Sequence, residues 1–504
     1  MSAFTAGTPR SVRMLMWTLL IVYIFNFLDR QIVNILAEEI SRDLQLSDAQ
    51  IGLMTGLAFA LFYTILGIPI ARYIDLPKTN RAHVISISLG VWSVMTAACG
   101  LAQNFAQLLL ARIGVGVGEA GCTPAAHSLI TDAVPADKRS SAMAFYGMGI
   151  SIGGLIGMVI GGTLNDLYGW RNAFLAVSIP GILFAFILPV LLRDPGRHQA
   201  VAAAKPQQAF VPTMAEILTN KSFLLVLLGA SFTAFLAYGK AVWVVILFQR
   251  DFGLSAGQTG LWLGVVTGLA GMLGTWAGGY LADRFGKKDK RHFLTAPAVG
   301  MTIAAPILFA AYYVSDWRLA LVLLIIPTAL NYFYYGPSYA LAQQLVKPNQ
   351  RAVATSLVIF GQNLIGLGLG PLFFGILSDA FKPMAGTESV RWVLYGAAWL
   401  GLLPAWFFWR ASKRLSQDLP AYLLRRTPFN IPLIPGVNTQ SNSGQSSRQR
   451  RATRRSPGRA ASSSITTPPT GTRENRQDAP SLIVGPRAHG GPSISNISMR
   501  SGTP

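Results

Sequence analysis

Twelve stretches of this chain stay apolar for about 20 residues or more, the length a helix needs to cross roughly 30 Å of hydrocarbon. They run approximately 13–37, 48–71, 82–102, 105–133, 140–163, 172–192, 222–248, 258–282, 292–314, 317–346, 351–380 and 390–410, and are called spans 1 to 12. Several are interrupted by Gly or Pro. The charged residues gather between them and alternate in sign. Arg10 and Arg13 precede span 1; Arg72, Lys78 and Arg81 follow span 2; Lys138 and Arg139 follow span 4. Arg193, Arg197, Lys205 and Lys221 fall between spans 6 and 7, a run from Arg284 to Arg291 follows span 8, and Lys347 and Arg351 separate spans 10 and 11. The opposite loops are short or acidic, as at Glu38, Glu39 and Asp43. Basic loops stay on the cytoplasmic side, so both termini are expected there, in a multi-pass protein of the cell (inner) membrane.

Composition agrees. Of 504 residues 51% are hydrophobic and 12% charged, about half the charge of an average soluble domain. The net charge of +21 raises the question of nucleic acid, but about half of the excess lies in the tail after residue 410 and much of the rest in loops on one side. The lipid bilayer is the expected partner, not nucleic acid, and the chain is expected to be a monomer. Cys99 and Cys122 lie within apolar segments, where a disulfide is not expected. The first apolar run lacks a small-residue cleavage site and reads as a span.

An internal repeat explains why the spans number twelve. PADKRSSAMAFYGMGISIGGLIGMVIGGTLND at 135–166 aligns with KPNQRAVATSLVIFGQNLIGLGLGPLFFGILSD at 347–379. Arg139 matches Arg351, Gly154 matches Gly366 and Asp166 matches Asp379, and Asp75 matches Asp283 in the loops after spans 2 and 8. The expected architecture is all-α: an N-terminal six-helix bundle at 1–192, a cytoplasmic linker at 193–221, a C-terminal six-helix bundle at 222–410, and a cytoplasmic tail at 411–504. The tail is rich in Ser, Arg, Pro and Gly and reads as mostly disordered, apart from a short amphipathic helix at 411–426. A duplicated six-span unit is a transporter signature.

Three motifs carry a resemblance. GGYLADRFGKK at 278–288, with Gly279, Asp283, Arg284 and Gly286, lies between spans 8 and 9, and a degenerate copy, ARYIDLPKTNR at 71–81, keeps Asp75 and Arg81. An Asp at a helix end can cap a neighbouring helix and pair with an Arg of the next loop; Arg139 and Arg351 are the natural partners for Asp75 and Asp283, as a latch closing the cytoplasmic side in one state. GGLIGMVIGG at 153–162 forms a glycine ladder in span 5. NFLDRQIVNIL at 26–36 and ARIGVGVGEAGCTPAAHSLITD at 111–132 complete the set. The loop motif resembles the signature of the major facilitator superfamily, over about residues 12–410, and the segments in spans 1 and 4 resemble its spinster family, whose animal members move sphingosine-1-phosphate or lysophospholipids. The resemblance implies two pseudo-symmetric six-helix bundles working by alternating access, and a protonatable Glu in span 4 with an Asp-Arg pair in span 1.

The residues themselves point the same way. A charge in mid-membrane costs on the order of 3 kcal/mol, so it is a functional candidate by default. Counting about 1.5 Å per residue, Asp29, Arg30 and Arg112 share a level in the outer half, and Glu119 lies near the middle. Arg112 and Glu119 are seven apart, on one helix face. Arg30 could pair in the neighbourhood of Asp29 in one state and with Glu119 in another, and protonating Glu119 would release an arginine, giving a proton-driven switch or a guanidinium free for a phosphate head group; a static ion network fixing helix packing is the plain alternative. His127 is a candidate proton relay or simply a packing residue, with Pro124 expected to kink span 4 before it. Asn26 in span 1 and Tyr238, Lys240, Asn331, Tyr335, Gln362 and Asn363 in the second half are candidates for the substrate cavity. No phosphate loop and no metal-site motif occurs, so no enzyme and no cofactor other than a coupling proton is expected. The expected activity is proton-coupled transport of an amphipathic, lipid-like substrate. The alternatives are a small organic solute or drug, and a non-transporting sensor that keeps the fold.

Overall fold

The computed structural model describes residues 10–76, 78–135, 138–192, 194, 210–286 and 289–418. They are helical throughout, with no strand among them. Ten helical stretches are long and apolar enough to cross a membrane. Two are too long for one crossing: Arg139–Leu191 has 53 residues and Pro348–Leu415 has 68, lengths of about 80 and 100 Å at the α-helical rise. Each turns at a glycine of positive φ, Gly169 (φ 78°) and Gly386 (φ 55°), a conformation that a side chain disfavours. Divided there, the stretches make twelve crossings among the described residues.

Two elements differ from expectation. Span 4 does not kink at Pro124. It breaks earlier, between Phe105–Glu119 and Cys122–Ala133. Pro124 falls in the first turn of the second segment, where its missing N–H removes no intrahelical bond. Span 10 breaks at the equivalent place, between Trp317–Asn331 and Tyr335–Gln344. In the linker, a helix not foreseen from the sequence spans Phe210–Thr219 and meets the second half through Glu216, which accepts from Lys347 (2.7 Å) and Gln350 (2.6 Å). Residues 411–418 continue the last helix, Leu402–Asp418, rather than starting a new one. The rest of the tail, and most of the linker with Arg193, Arg197 and Lys205, lie outside the described residues.

The halves meet through repeat-related helices: span 2 packs on span 11, and span 5 on span 8. Both contacts are close. A methyl group on Gly162 would come within 2.3 Å of the Ala256 carbonyl, and one on Gly52 within 2.4 Å of the Pro371 carbonyl. At the same end the two contacts are closed by matching devices. Span 2 opens with the capping box Ser47–Gln50, and span 8 with Ser255 and Gln258, each bonding the other's backbone N–H; such boxes satisfy helix-end donors. Each is capped again from the opposite half. Asp379 accepts from the backbone N–H of Asp48 (3.1 Å) and Ala49 (2.7 Å). Asp166, its repeat equivalent, accepts from Ser255 Oγ (2.6 Å) and Gly257 N (3.0 Å).

A buried ion network completes this end. Arg250 at the end of span 7 reaches Glu38 (2.8 Å) and Asp48 (3.1 Å), and Lys382 reaches Asp48 (3.3 Å). Glu38 and Asp48 are 4% and 1% exposed. The pairs Arg250–Glu38, Arg250–Asp48 and Lys382–Asp48 all join the halves at this end. At the other end Asp283 and Arg351 are both exposed and are not paired with each other. Arg139 donates to the Val134 carbonyl, and Arg284 to the Tyr280 hydroxyl. Arg81 is buried, and binds Asp194 through two nitrogens, together with Asp132 and Ser128, tying the ends of spans 3, 4 and 6.

Candidate functional site

The charged residues of spans 1 and 4 form one cluster. Adjacent residues of a helix point about 100° apart, so Asp29 and Arg30 look in different directions. Arg30 turns to span 4 and meets Glu119, with Nη2 and Nε at 2.7 and 2.8 Å from the same carboxylate oxygen. Asp29 turns into the first half, where it accepts from Thr96 Oγ1 at 3.1 Å and feels Arg112 electrostatically. Glu119, Asp29 and Arg112 are 0%, 4% and 2% exposed. The Arg30 side chain is 15% exposed and feels Tyr238 of span 7 electrostatically, so it faces the second half.

Two carboxylates and two guanidinium groups balance in charge, but not every atom is engaged. Arg112 Nε is buried without a hydrogen-bond partner among the described residues. Asn26 lies beside Glu119, and Trp92 beside Asp29. The scaffold around the cluster is tight. Gly153 and Gly157 of the span 5 ladder seat span 1: methyl groups there would come within 2.4 and 2.8 Å of the carbonyls of Ile24 and Leu28.

Sequence reasoning did not find the rings that enclose this cluster. Phe27, Phe59 and Tyr63 place their centroids 5.1, 4.9 and 4.8 Å from the Arg30 guanidinium. The signal available was the spacing of Phe59 and Tyr63, four apart on span 2. Thr96 was missed also, since a lone threonine in an apolar span carries no signal.

The other candidates divide. His127 is exposed, sets its ring edge-on to Tyr146 at 5.6 Å, and has no charged group of the cluster near it. The break after Glu119 lies between the two, so an eight-residue spacing no longer puts them on one helix face. Gln362 takes part in a hydrogen-bonded group with Tyr339 and Tyr334, and Tyr335 packs against Tyr339 at 5.2 Å. Tyr238 and Lys240, two apart on span 7, separate: Lys240 lines, with Asn331, a cavity of about 20 Å³ among spans 7, 9, 10 and 12, room for about one water. Asn363 is half-buried. No group of three or more His, Cys, Asp or Glu placed to hold a metal occurs among the described residues.

Comparison with known proteins places this geometry. The Major Facilitator Superfamily profile matches residues 19–367. An MFS-type efflux pump of Mycolicibacterium smegmatis is 33% identical over 416 residues, 82% of this chain and 95% of that protein. Protein spinster homolog 1 of Xenopus laevis is 24% identical over 445 residues, covering 83% of each chain. The crystal structure of a bacterial homologue of the human lysosomal transporter spinster, inward-facing and unoccupied, superposes with a TM-score of 0.73 at 30% identity, covering 82% of this chain and all of that one.

Proposed function

The chain belongs to the major facilitator superfamily and to its spinster branch, and on that basis we propose that it is a proton-coupled transporter of an amphipathic, lipid-like anion of the lysophospholipid or sphingoid phosphate class. The observation that carries this reading is the buried Arg30–Glu119 pair. A carboxylate paired with a single partly open arginine, at a helix break and facing the second half, is arranged to exchange that arginine for a proton. Protonating Glu119 removes the counter-ion of Arg30, and the freed guanidinium can bind a phosphate or carboxylate with two parallel hydrogen bonds. Proton and anion then bind together. Asp29 and Arg112, deeper and further from the second half, keep the cluster balanced. Asn26, Tyr238, Tyr335, Gln362 and Asn363 are assigned to the surrounding cavity.

With basic loops inside, the joined end is the outer one, and the structure is closed to the outside. The two bundles, 1–192 and 222–410, rock about the switch; opening outward requires the network of Arg250, Glu38, Asp48 and Lys382 to part, and Asp75, Arg139, Asp283 and Arg351 then close the cytoplasmic end. The second reading, transport of a small organic solute or drug, is favoured by the mycobacterial efflux relative. Proteoliposomes with an imposed pH gradient separate the two, using a fluorescent lysophosphatidate and ethidium as probes. The lysolipid is expected to move with the gradient, and Glu119→Gln to uncouple it. Movement of ethidium alone would favour the second reading. Lysolipid flux that ignores the gradient would remove the proton from the account.

A further inference from the structure

The rings around Arg30 bear on how the switch works, and their role rests on the reading of Glu119 as its proton acceptor. Phe59 is distinct among them. Its ring lies 4.9 Å from the Arg30 guanidinium and 5.4 Å from that of Arg112, so one phenyl group serves two buried cations of like charge. It is 1% exposed and stacks on Tyr63, with centroids 5.5 Å apart and planes 15° apart. It is fixed from behind as well: a methyl group on Gly116 of span 4 would come within 2.7 Å of the Phe59 carbonyl, so spans 2 and 4 touch backbone to backbone at this point. Packing alone does not ask for a ring here, since an aliphatic side chain fills apolar space as well. Two arginines do ask for one, because the negative face of an aromatic ring attracts a cation without water.

We propose that Phe59 is a positioning residue of the switch, holding Arg30 and Arg112 against Glu119 and Asp29 and retaining Arg30 in its place when Glu119 takes up a proton. While Glu119 is charged, Arg30 has a counter-ion. Once Glu119 is neutral, the ring faces are what remains, and a bare guanidinium is drawn to a ring more strongly than one already paired. The ring therefore favours the protonated state of the pair. The charged and titratable groups facing Arg30 are Tyr23 on its own helix, Tyr63 of span 2, Glu119 and Cys122 of span 4 and Tyr238 of span 7, with Asp29 and Arg112 acting on Glu119 from behind.

The test needs no substrate. Nitroxide labels at Gln45→Cys and Thr387→Cys, both exposed at the joined end, report its opening in the full chain in lipid nanodiscs; the native Cys99 and Cys122 are buried. The pH at the midpoint of opening is measured. Phe59→Leu is expected to move it about one unit towards acid, and Phe59→Tyr, which keeps the ring face, to return it to the parent value. Should Phe59→Leu not fold, Tyr63→Leu, at a half-buried position of the same enclosure, is expected to shift it the same way. A midpoint unchanged in the leucine variants, or displaced equally in Phe59→Tyr, overturns the role of the ring. Glu119→Gln tells the two readings apart. If it abolishes the pH response while Phe59→Leu leaves the midpoint unmoved, the switch stands and the positioning role falls. If the response persists in Glu119→Gln, the switch itself fails, and the role of Phe59 with it.

Discussion

Arg81 shows how much a single side chain can hold in this molecule. It is 1% exposed and bonds Asp194 at 2.7 and 3.0 Å, with Asp132 and Ser128 completing its donors. Removing the guanidinium takes away several charge-assisted hydrogen bonds, while the Asp132 and Asp194 left behind are partly open to water, so the cost is about 1–3 kcal/mol. Arg81→Met is therefore expected to lower the thermal unfolding midpoint in detergent by several degrees, and Arg81→Lys to recover only part of it, since an ammonium cannot reproduce the two-pronged contact. Equal stability of the lysine variant and the parent would contradict this. Part of the site was legible at this scale and part was not. Asp29, Arg30, Arg112 and Glu119 stand out because a charge within an apolar run is a local property of the sequence. Arg30 as a partner of Glu119 in one of two states was legible too; which state the structure holds was not, because it depends on how span 1 is rotated against span 4. Phe59 and Tyr63 were hidden for a related reason: an aromatic residue in a membrane span reads as lipid-facing or packing until its neighbour is known to be a cation.

At the scale of elements, the two halves use one device twice. Asp166 caps span 8 and Asp379 caps span 2, each reaching into the opposite half, and loss of a helix cap costs about 1 kcal/mol. Asp166→Ala and Asp379→Ala are each expected to widen the label distance between positions 45 and 387, by similar amounts as the repeat symmetry implies. A response to one alone would show that the two contacts are not equivalent. Arg250→Met is expected to act more strongly, because it removes the cation that Glu38 and Asp48 share across the halves and leaves the two buried carboxylates with Arg42 and Lys382 alone. A distance distribution unchanged in Arg250→Met would show that the network does not hold this end. The repeat itself was legible from matched residues such as Arg139 and Arg351. The breaks in spans 4 and 10 were less so. Pro124 is the stronger local signal in span 4, yet a proline in the first turn of a helix begins it rather than bending it, and the chain parts at Ala120–Gly121 instead.

At the scale of the whole molecule, the proposed switch and the closed end are read together as one of two states. Nothing in a span-by-span reading of hydrophobicity states which end is shut, because that depends on contacts between residues about 200 or more apart in sequence, such as Glu38 with Arg250 and Asp48 with Asp379. The central claim is that protonation of Glu119 drives the exchange between states. It is tested most directly by following both ends at once, with one label pair at positions 45 and 387 and another at the exposed positions Lys78 and Asp289, as pH is lowered from about 8 to about 5, the range in which a perturbed carboxylate can titrate. The account predicts reciprocal changes, the first distance growing as the second shrinks, and no change in Glu119→Gln. Distances that stay constant in the parent chain, or that change alike in Glu119→Gln, would contradict it.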